Sequence, residues 1–442
     1  MASKKLSKGE ILAAFFDESV YTELFAGGAV QAAYGCAGGQ PVYAVCQSGA
    51  AVTAKDLNKN RKVLGMAAKT GNPVVTFYDS VGAKLEEGLD LLAANAALTA
   101  EIARVSGVVP QIAVVTGVCG GTAALAAASA DLCIMAEDAQ LFFTAPFTSA
   151  AGGDKLAGAG SAAFAAKAGV AALTAKDGAE AAALAARVAG TLPGNNLAGP
   201  SVFEFEAPSA VLELNSYSAP KAVEALVDAG SALEVYAGFG KKVYTALATV
   251  NGNIVGVVAT EPDGLCHNCV SKAARMVRLC DAFSIPVVTL VNSEGFVKSA
   301  TDDQAGGIRE AARLAGTYAD ATTAKVAVLA GKAVGPVYTA LANADVTIAV
   351  EGCTVAALEP QAAVRVLYKD ELDASDNILA ATAAKAAQYA AAECSAQAAL
   401  AAGAADFAVA AAEVRATLAA ALDMLATKRA QRLPKKHGNL SL

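Results

Sequence analysis

Histidine is almost missing from this chain of 442 residues: there are two, His267 and His437, the second in a basic tail. Catalysis that pairs a histidine with a serine or cysteine nucleophile is therefore poorly supplied. The strings G-x-G-x-x-G and G-x-x-x-x-G-K-S/T do not occur either, which speaks against hydride or phosphoryl chemistry on a bound nucleotide. No apolar run, with suitable flanks, reaches the roughly 18–20 residues of a membrane span. Excess positive charge is missing too: the net charge is −7, and a nucleic-acid partner is not expected. The start, Met1 to Glu10, is polar and does not read as a signal peptide. With nine scattered cysteines, the expectation is a cytoplasmic protein whose thiols are reduced and mostly buried.

What is present is small and apolar. Hydrophobic residues make up 55% of the chain, much of it alanine. The stretch that organises the rest runs from Ile112 through Thr116 to Gly117, Val118, Cys119, Gly120, Gly121 and Thr122, followed by alanines. The apolar run predicts a buried strand and the alanines a helix. Glycines between them let backbone N–H groups face outward. Such a turn is either plain structure or a cradle for an anion or a developing oxyanion.

The unit occurs twice. Val326 to Gly331, Gly335, Pro336, Val337 and Tyr338 repeat it, with Gly331 214 positions after Gly117. Pro73 pairs with Pro286 at an offset of 213, Asp131 with Asp345 at 214, and Gly39 with Gly252 at 213. Four matches in one order imply a tandem duplication of an α/β domain, with expected domains at 1–215 and 216–442. The pattern further predicts helix from about 10 to 35 and a strand at 41–46. A polar loop from Ala54 to Lys62, a helix at 63–69, a strand at 73–78 and a helix at 89–105 follow. Alternation of this kind implies parallel strands with helical crossovers. Small helices are expected between Gly152 and Gly190, and an all-helical end from Asp376 to Thr427.

Few side chains are placed for chemistry. Cys266 and Cys269 form one C-x-x-C; a structural zinc takes four ligands and no second pair is suitably spaced, so the pair reads as reduced loop thiols rather than a metal site. Asp79, Glu87 and Glu294 lie at strand-end loops and could act as acid or base, although residues there more often cap helices or bind backbone. What remains is chemistry carried by backbone N–H groups.

The strings also resemble a known family, the carboxyltransferase subunits of biotin-dependent acyl-CoA carboxylases and decarboxylases of the propionyl-CoA and methylmalonyl-CoA type. The resemblance is carried by Asp79 to Gly88, Ser106 to Ile112, Gly117 to Gly121, Phe143 to Pro146 and Leu192 to Asn196. In the second half it is carried by Lys272 to Arg275, Cys280 to Pro286, Gly295 and Phe296, Gly331 to Gly335, and Pro434 to Asn439. It implies two crotonase-like domains (ββα superhelices), acyl-CoA as substrate, biotin on a separate carrier protein, and a homo-hexamer. A biotin carboxylase or a membrane decarboxylase subunit would be the further partner. By the same resemblance the first turn holds an enolate oxygen at Gly121 and Thr122, with Gly82 and Gly120 on the CoA side. The second turn holds the ureido oxygen of biotin at Gly335 and Val337, with Pro336, Tyr338 and Thr339 around it. Biotin would enter between this half and a C-terminal half from another subunit. Arg61 and Lys62 are candidates for the CoA phosphates, or belong to a solvated surface.

Two departures stand out. The family usually has two glycines after Cys-Ala, and this chain reads Cys119, Gly120, Gly121, Thr122. The family often has Gly-Gly-Ala at the second turn, where this chain has Gly335, Pro336, Val337, and proline has no N–H. No Ala-Met-Lys-Met biotinylation string occurs, so the chain is not expected to carry biotin itself. Two other readings stay open: a biotin-independent crotonase-type CoA enzyme, and a non-catalytic assembly subunit.

Overall fold

The computed structural model describes residues 6–25, 27–47, 49–199 and 201–439; the first part of the polar start, residues 1–5, lies outside them. The chain forms two compact units. One comprises the chain up to Ser201 with Tyr236–Phe239, the other Val202–Val235 with the chain from Gly240 onward.

In the first unit seven strands form one sheet, in the order Tyr21–Leu24, Val30–Ala37, Gln40–Gln47, Val74–Tyr78, Gln111–Val115, Leu132–Ala136 and Leu173–Ala175. The first three pair antiparallel and the rest parallel. The second unit repeats this in the order Leu233–Glu234, Val243–Val250, Asn253–Thr260, Val287–Ser293, Lys325–Val334, Val346–Val350 and Phe407–Val409. The same antiparallel start gives way to the same parallel run. The central parallel strands are mostly apolar, as strands buried on both faces are; every residue of Val74–Tyr78, Gln111–Val115 and Val346–Val350 is buried.

The repeat extends to single hydrogen bonds. The Gln111 amide donates to Asp131 and the Lys325 amide to Asp345, both at 2.8 Å. Each aspartate thereby fixes where a central strand begins.

Four segments differ from the sequence expectation. The helix expected over 10–35 is only Lys8–Phe15. Glu18 and Ser19 take positive φ, and two strands follow, joined to the next by a Tyr34–Tyr43 cross-strand pair whose rings are 4.8 Å apart. The β-branched and aromatic residues here win over helical spacing. The expected loop at 54–62 is the first half of a helix, Ala54–Thr70. Thr53 and Asp56 form a reciprocal capping box, and Gly71, in the left-handed conformation, ends it. Its charges are the outer face of an amphipathic helix that buries Leu57, Asn60, Val63 and Leu64. From Gly152 to Gly190 one small helix forms as expected, Ala162–Lys167, but a strand, Leu173–Ala175, and a 14-residue helix, Gly178–Thr191, follow it. The C-terminal helices are interrupted by the strand Phe407–Val409, which pairs parallel with Val346–Val350 and completes the second sheet. Among the described residues, no helix is long and apolar enough to cross a membrane.

Candidate active site

Each unit carries one copy of the repeated glycine turn, and the two copies have the same backbone conformation. After the Gln111–Val115 strand, Gly117 passes so close to Asp79 that a Cβ would lie 2.0 Å from Asp79 Oδ1. That approach lets the Val118 amide donate to Asp79 Oδ1 at 3.3 Å. The short strand Val118–Gly120 pairs with Gln140–Phe142, and a Cβ on Gly120 would meet the Phe142 ring at 2.7 Å. Gly121 then takes φ 60° and ψ −126°, a conformation that side chains rarely adopt. Its amide donates to the Phe142 carbonyl at 2.9 Å. The helix Thr122–Ala128 starts at the next residue, so the amides of Thr122 and Ala123 have no acceptor within the helix.

The second turn follows the same path. A Cβ on Gly331 would lie 2.2 Å from Asn292 Oδ1, and the Lys332 amide donates to that oxygen at 3.1 Å. Gly335 takes φ 56° and ψ −127°, and its amide donates to the Ala356 carbonyl at 2.8 Å. The helix Pro336–Leu341 then begins on proline. The position of the Thr122 donor is thus held by a residue with no N–H, and Val337 supplies the first free amide.

A cavity opens at each turn. The first, about 280 Å³, brings together Gly82, Gly120, Gly121 and Thr122, with Ser80, Asn60, Asn95 and Thr99 around them. The second, about 950 Å³, brings together Gly335, Pro336, Tyr338 and Thr339 with Leu265, Phe296 and Ile308. Its walls are mostly apolar, and the phenol of Tyr338 is fixed by donating to the Ala404 carbonyl at 2.7 Å. Burial raises that phenol's pKa. Val337, by contrast, is fully buried and does not line this cavity. Arg61 and Lys62 line neither cavity. Both are exposed on the helix Ala54–Thr70, with the Lys62 ammonium 4.5 Å from the Phe25 ring centre.

The three carboxylates are engaged elsewhere. Asp79 accepts backbone as described. Glu87 accepts the Ala54 amide at 2.6 Å and so closes the start of a helix. Glu294 and Glu359 both pair with Lys332, at 3.2 and 2.8 Å, and hold its ammonium above the ordinary lysine range, Glu359 first.

Sequence reasoning missed a pair of serines. Ser80 donates to the carbonyls of Ala50 and Gly82 and accepts the Gly82 amide. Ser293 does the same with Asp263 and Gly295. Each holds the loop facing a glycine turn. The signal was available, since Asp79, Ser80, Gly82 and Asn292, Ser293, Gly295 keep the 213-residue offset.

Two backbone-donor turns in one chain, each opening on its own cavity, fit one family, and residues 7–440 match the carboxyl transferase domain. The chain belongs to that family. It is 34% identical over 430 residues to the methylmalonyl-CoA carboxyltransferase 12S subunit of Propionibacterium freudenreichii subsp. shermanii, covering 91% of this chain and 82% of the relative. It is 30% identical to the methylmalonyl-CoA decarboxylase subunit alpha of Veillonella parvula, over 100% of this chain and 94% of the relative. It is also 32% identical to the propionyl-CoA carboxylase beta chain of Saccharopolyspora erythraea, over 86% and 76%. The crystal structure of transcarboxylase 12S, a hexamer assembly with methylmalonyl-coenzyme A and methylmalonic acid bound, aligns with a TM-score of 0.94 at 30% identity. The alignment covers 99% of this chain and 92% of that one. The two like-patterned sheets are accordingly a tandem duplication of a crotonase-like α/β domain.

Proposed function

We propose that this chain is the carboxyltransferase subunit of a biotin-dependent acyl-CoA carboxylase or decarboxylase, moving a carboxyl group between an acyl-CoA and biotin on a separate carrier protein. The observation that carries the reading is the matched pair of glycine turns, each at the mouth of a cavity, in a chain of the carboxyl transferase family. The chemistry needs two oxyanions stabilised, one on each substrate, and backbone amides can do this without a side-chain base.

In the first cavity the acyl-CoA thioester oxygen is held by the Thr122 amide, which the Gly121 turn aims; the Gly121 amide itself is taken by the Phe142 carbonyl. When the bond between the α-carbon and the carboxylate breaks, its electron pair moves into the enolate, and the negative charge collects on the held oxygen. Gly82, where a Cβ would meet open space, keeps the thioester side of the cavity clear, while Gly120 makes room for the Phe142 ring beside the turn. In the second cavity the apolar walls suit the fused rings of biotin, whose ureido group accepts or gives up the carboxyl when bound. The Gly335 turn and the start of the helix behind it face the ureido oxygen, where Pro336 leaves one fewer donor than the first turn has. Tyr338 and Thr339 shape the wall. Relatives act within multisubunit systems, and this chain is proposed to form a hexamer with a biotin carrier and either a biotin carboxylase or a membrane decarboxylase subunit. Its place is the cytoplasm, at a membrane only in the decarboxylase case.

Pro336 favours a second reading: a direct acyl-CoA decarboxylase that uses the first cavity without biotin. One experiment separates them. Purified chain is mixed with malonyl-CoA, methylmalonyl-CoA or glutaconyl-CoA, with and without free biotin, and carboxylate loss is followed by mass spectrometry. Biotin-dependent loss supports the transferase. Loss of equal rate without biotin overturns it in favour of the second reading. No turnover, with no CoA binding by calorimetry, overturns both and leaves an assembly subunit.

A further inference from the structure

Cys266 and Cys269 play no part in this chemistry, yet they are placed for a chemistry of their own. Cys266 is the cap residue of the helix His267–Ala282, in extended conformation at φ −82° and ψ 167°. Cys269 is the third residue of that helix. Cap and third residue face each other across a first helical turn, and the two sulfurs are 3.1 Å apart. Their surroundings are unequal. Cys266 is half-buried and Cys269 is buried, so one thiol can meet a reagent and the other can meet only its neighbour. Burial pushes the Cys269 thiol up to about 11, and its hydrogen bond with Cys266 adds to this. It therefore needs a base before it can act as a nucleophile.

A base lies one turn further along the same helix face. Lys272 is 2% exposed, and its Nζ makes no hydrogen bond. Leaving a buried ammonium without a partner is costly. Burial lowers Lys272 to about 8, against the opposing pull of Glu234 and Cys269. A neutral amine is thus accessible near neutrality on the face that carries Cys269.

We propose that Cys266 and Cys269 form a thiol–disulfide exchange site for low-molecular-weight disulfides of the glutathione type, with Lys272 as the proton acceptor for Cys269. In the first step the Cys266 thiolate attacks one sulfur of the disulfide. The S–S bond breaks, a mixed disulfide forms on Cys266, and one glutathione thiolate leaves. In the second step Cys269 gives its proton to Lys272 Nζ and its sulfur attacks Cys266 Sγ. The mixed disulfide breaks, the Cys266–Cys269 bond forms, and the second glutathione thiolate leaves. The two electrons of the dithiol end on two glutathione thiols, which take up the two protons released.

The site stands behind the second cavity. Leu265, the residue before Cys266, forms a bridge with Phe296, and both line that cavity. The His267 amide and ring reach Asp302, which also lines it, at 3.2 and 2.6 Å. The redox state of the pair therefore bears on the wall of the cavity.

The test uses the full chain, treated with glutathione disulfide, alkylated under native conditions and digested for mass spectrometry. The expected product is a peptide with Cys266 and Cys269 joined and unalkylated. In Cys269→Ser the expected product is one glutathione retained on Cys266. In Lys272→Met the mixed disulfide should persist, with its conversion slowed roughly a hundredfold, the contribution of a positioned base. Alkylation of both cysteines after treatment would overturn the site. Conversion at the wild-type rate in folded Lys272→Met would overturn the role of the lysine. If that variant does not fold by circular dichroism, glutathione failing to stay on Cys266 in Cys269→Ser still decides against the site.

Discussion

Asp79 and Asn292 do the same work in the two halves of the chain: each offers its Oδ1 to the amide just after a glycine, Val118 at 3.3 Å and Lys332 at 3.1 Å. The contact exists because Gly117 and Gly331 lack a Cβ. An alanine at Gly331 would bring its methyl to 2.2 Å from Asn292 Oδ1, and both partners are held by backbone. Gly331→Ala should therefore cost about 1–3 kcal/mol, as overpacking does. Urea unfolding followed by circular dichroism would read it as a lower midpoint. A midpoint equal to wild type would mean that the loop carrying Asn292 yields freely and does not fix the turn.

Gly121 separates backbone aim from packing. Nothing lies within 4 Å of a Cβ built there, yet φ is +60°. Gly121→Ala thus meets no clash and only a backbone cost of about 1–3 kcal/mol. If the turn relaxes, the Thr122 amide loses its aim. The carboxyl-transfer kcat should fall about 10²–10³-fold, the loss seen when one oxyanion donor is removed, while CoA affinity stays near wild type. A fall in affinity with unchanged kcat would place the thioester oxygen elsewhere.

At the second turn the experiment runs in the opposite direction. Pro336→Ala restores a backbone N–H at the first residue of the helix Pro336–Leu341, where alanine is accepted as readily as proline. A recovered donor should raise the biotin-dependent rate by roughly 10²-fold and leave any biotin-independent rate unchanged. An unchanged biotin-dependent rate would show that this turn needs no donor at position 336.

How much of this was legible depends on which forces act locally. The Val74–Tyr78 and Val346–Val350 strands are apolar but for one threonine each, Thr76 and Thr347, and the 214-residue spacing of Gly117 and Gly331 exposes the duplication without any structure. The helix Ala54–Thr70 was hidden by its charges, although Thr53 and Asp56 mark its start to anyone who reads the cap before the polarity. Phe407–Val409 sits in an alanine background, and only its pairing with Val346–Val350 makes it a strand. Asn60, Asn95 and Thr99 meet in the first cavity from two helices. Their spacing along the chain carries no sign of that convergence. Arg61 and Lys62 show the reverse, since a basic pair that invites a phosphate by type lines neither cavity.

Lys272 ties stability to pH in a direction opposite to that of most lysines. Its folded pKa, about 8, lies below the ordinary 10.5. Below about pH 8 the lysine is charged in both states, and the folded chain bears the full cost of a buried ammonium, about 3 kcal/mol by the size of the shift. Between pH 8 and 10.5 the unfolded chain binds the extra proton, so this contribution to stability rises with pH. Lys272→Met removes the buried charge and keeps most of the side-chain volume. The variant should unfold at higher urea than wild type at pH 7.5, and the gap should shrink by pH 9.5. Comparing the two proteins at each pH cancels every other titration. A gap that is constant across the range would mean that Lys272 does not lose its proton there, which would also remove it as the base beside Cys269.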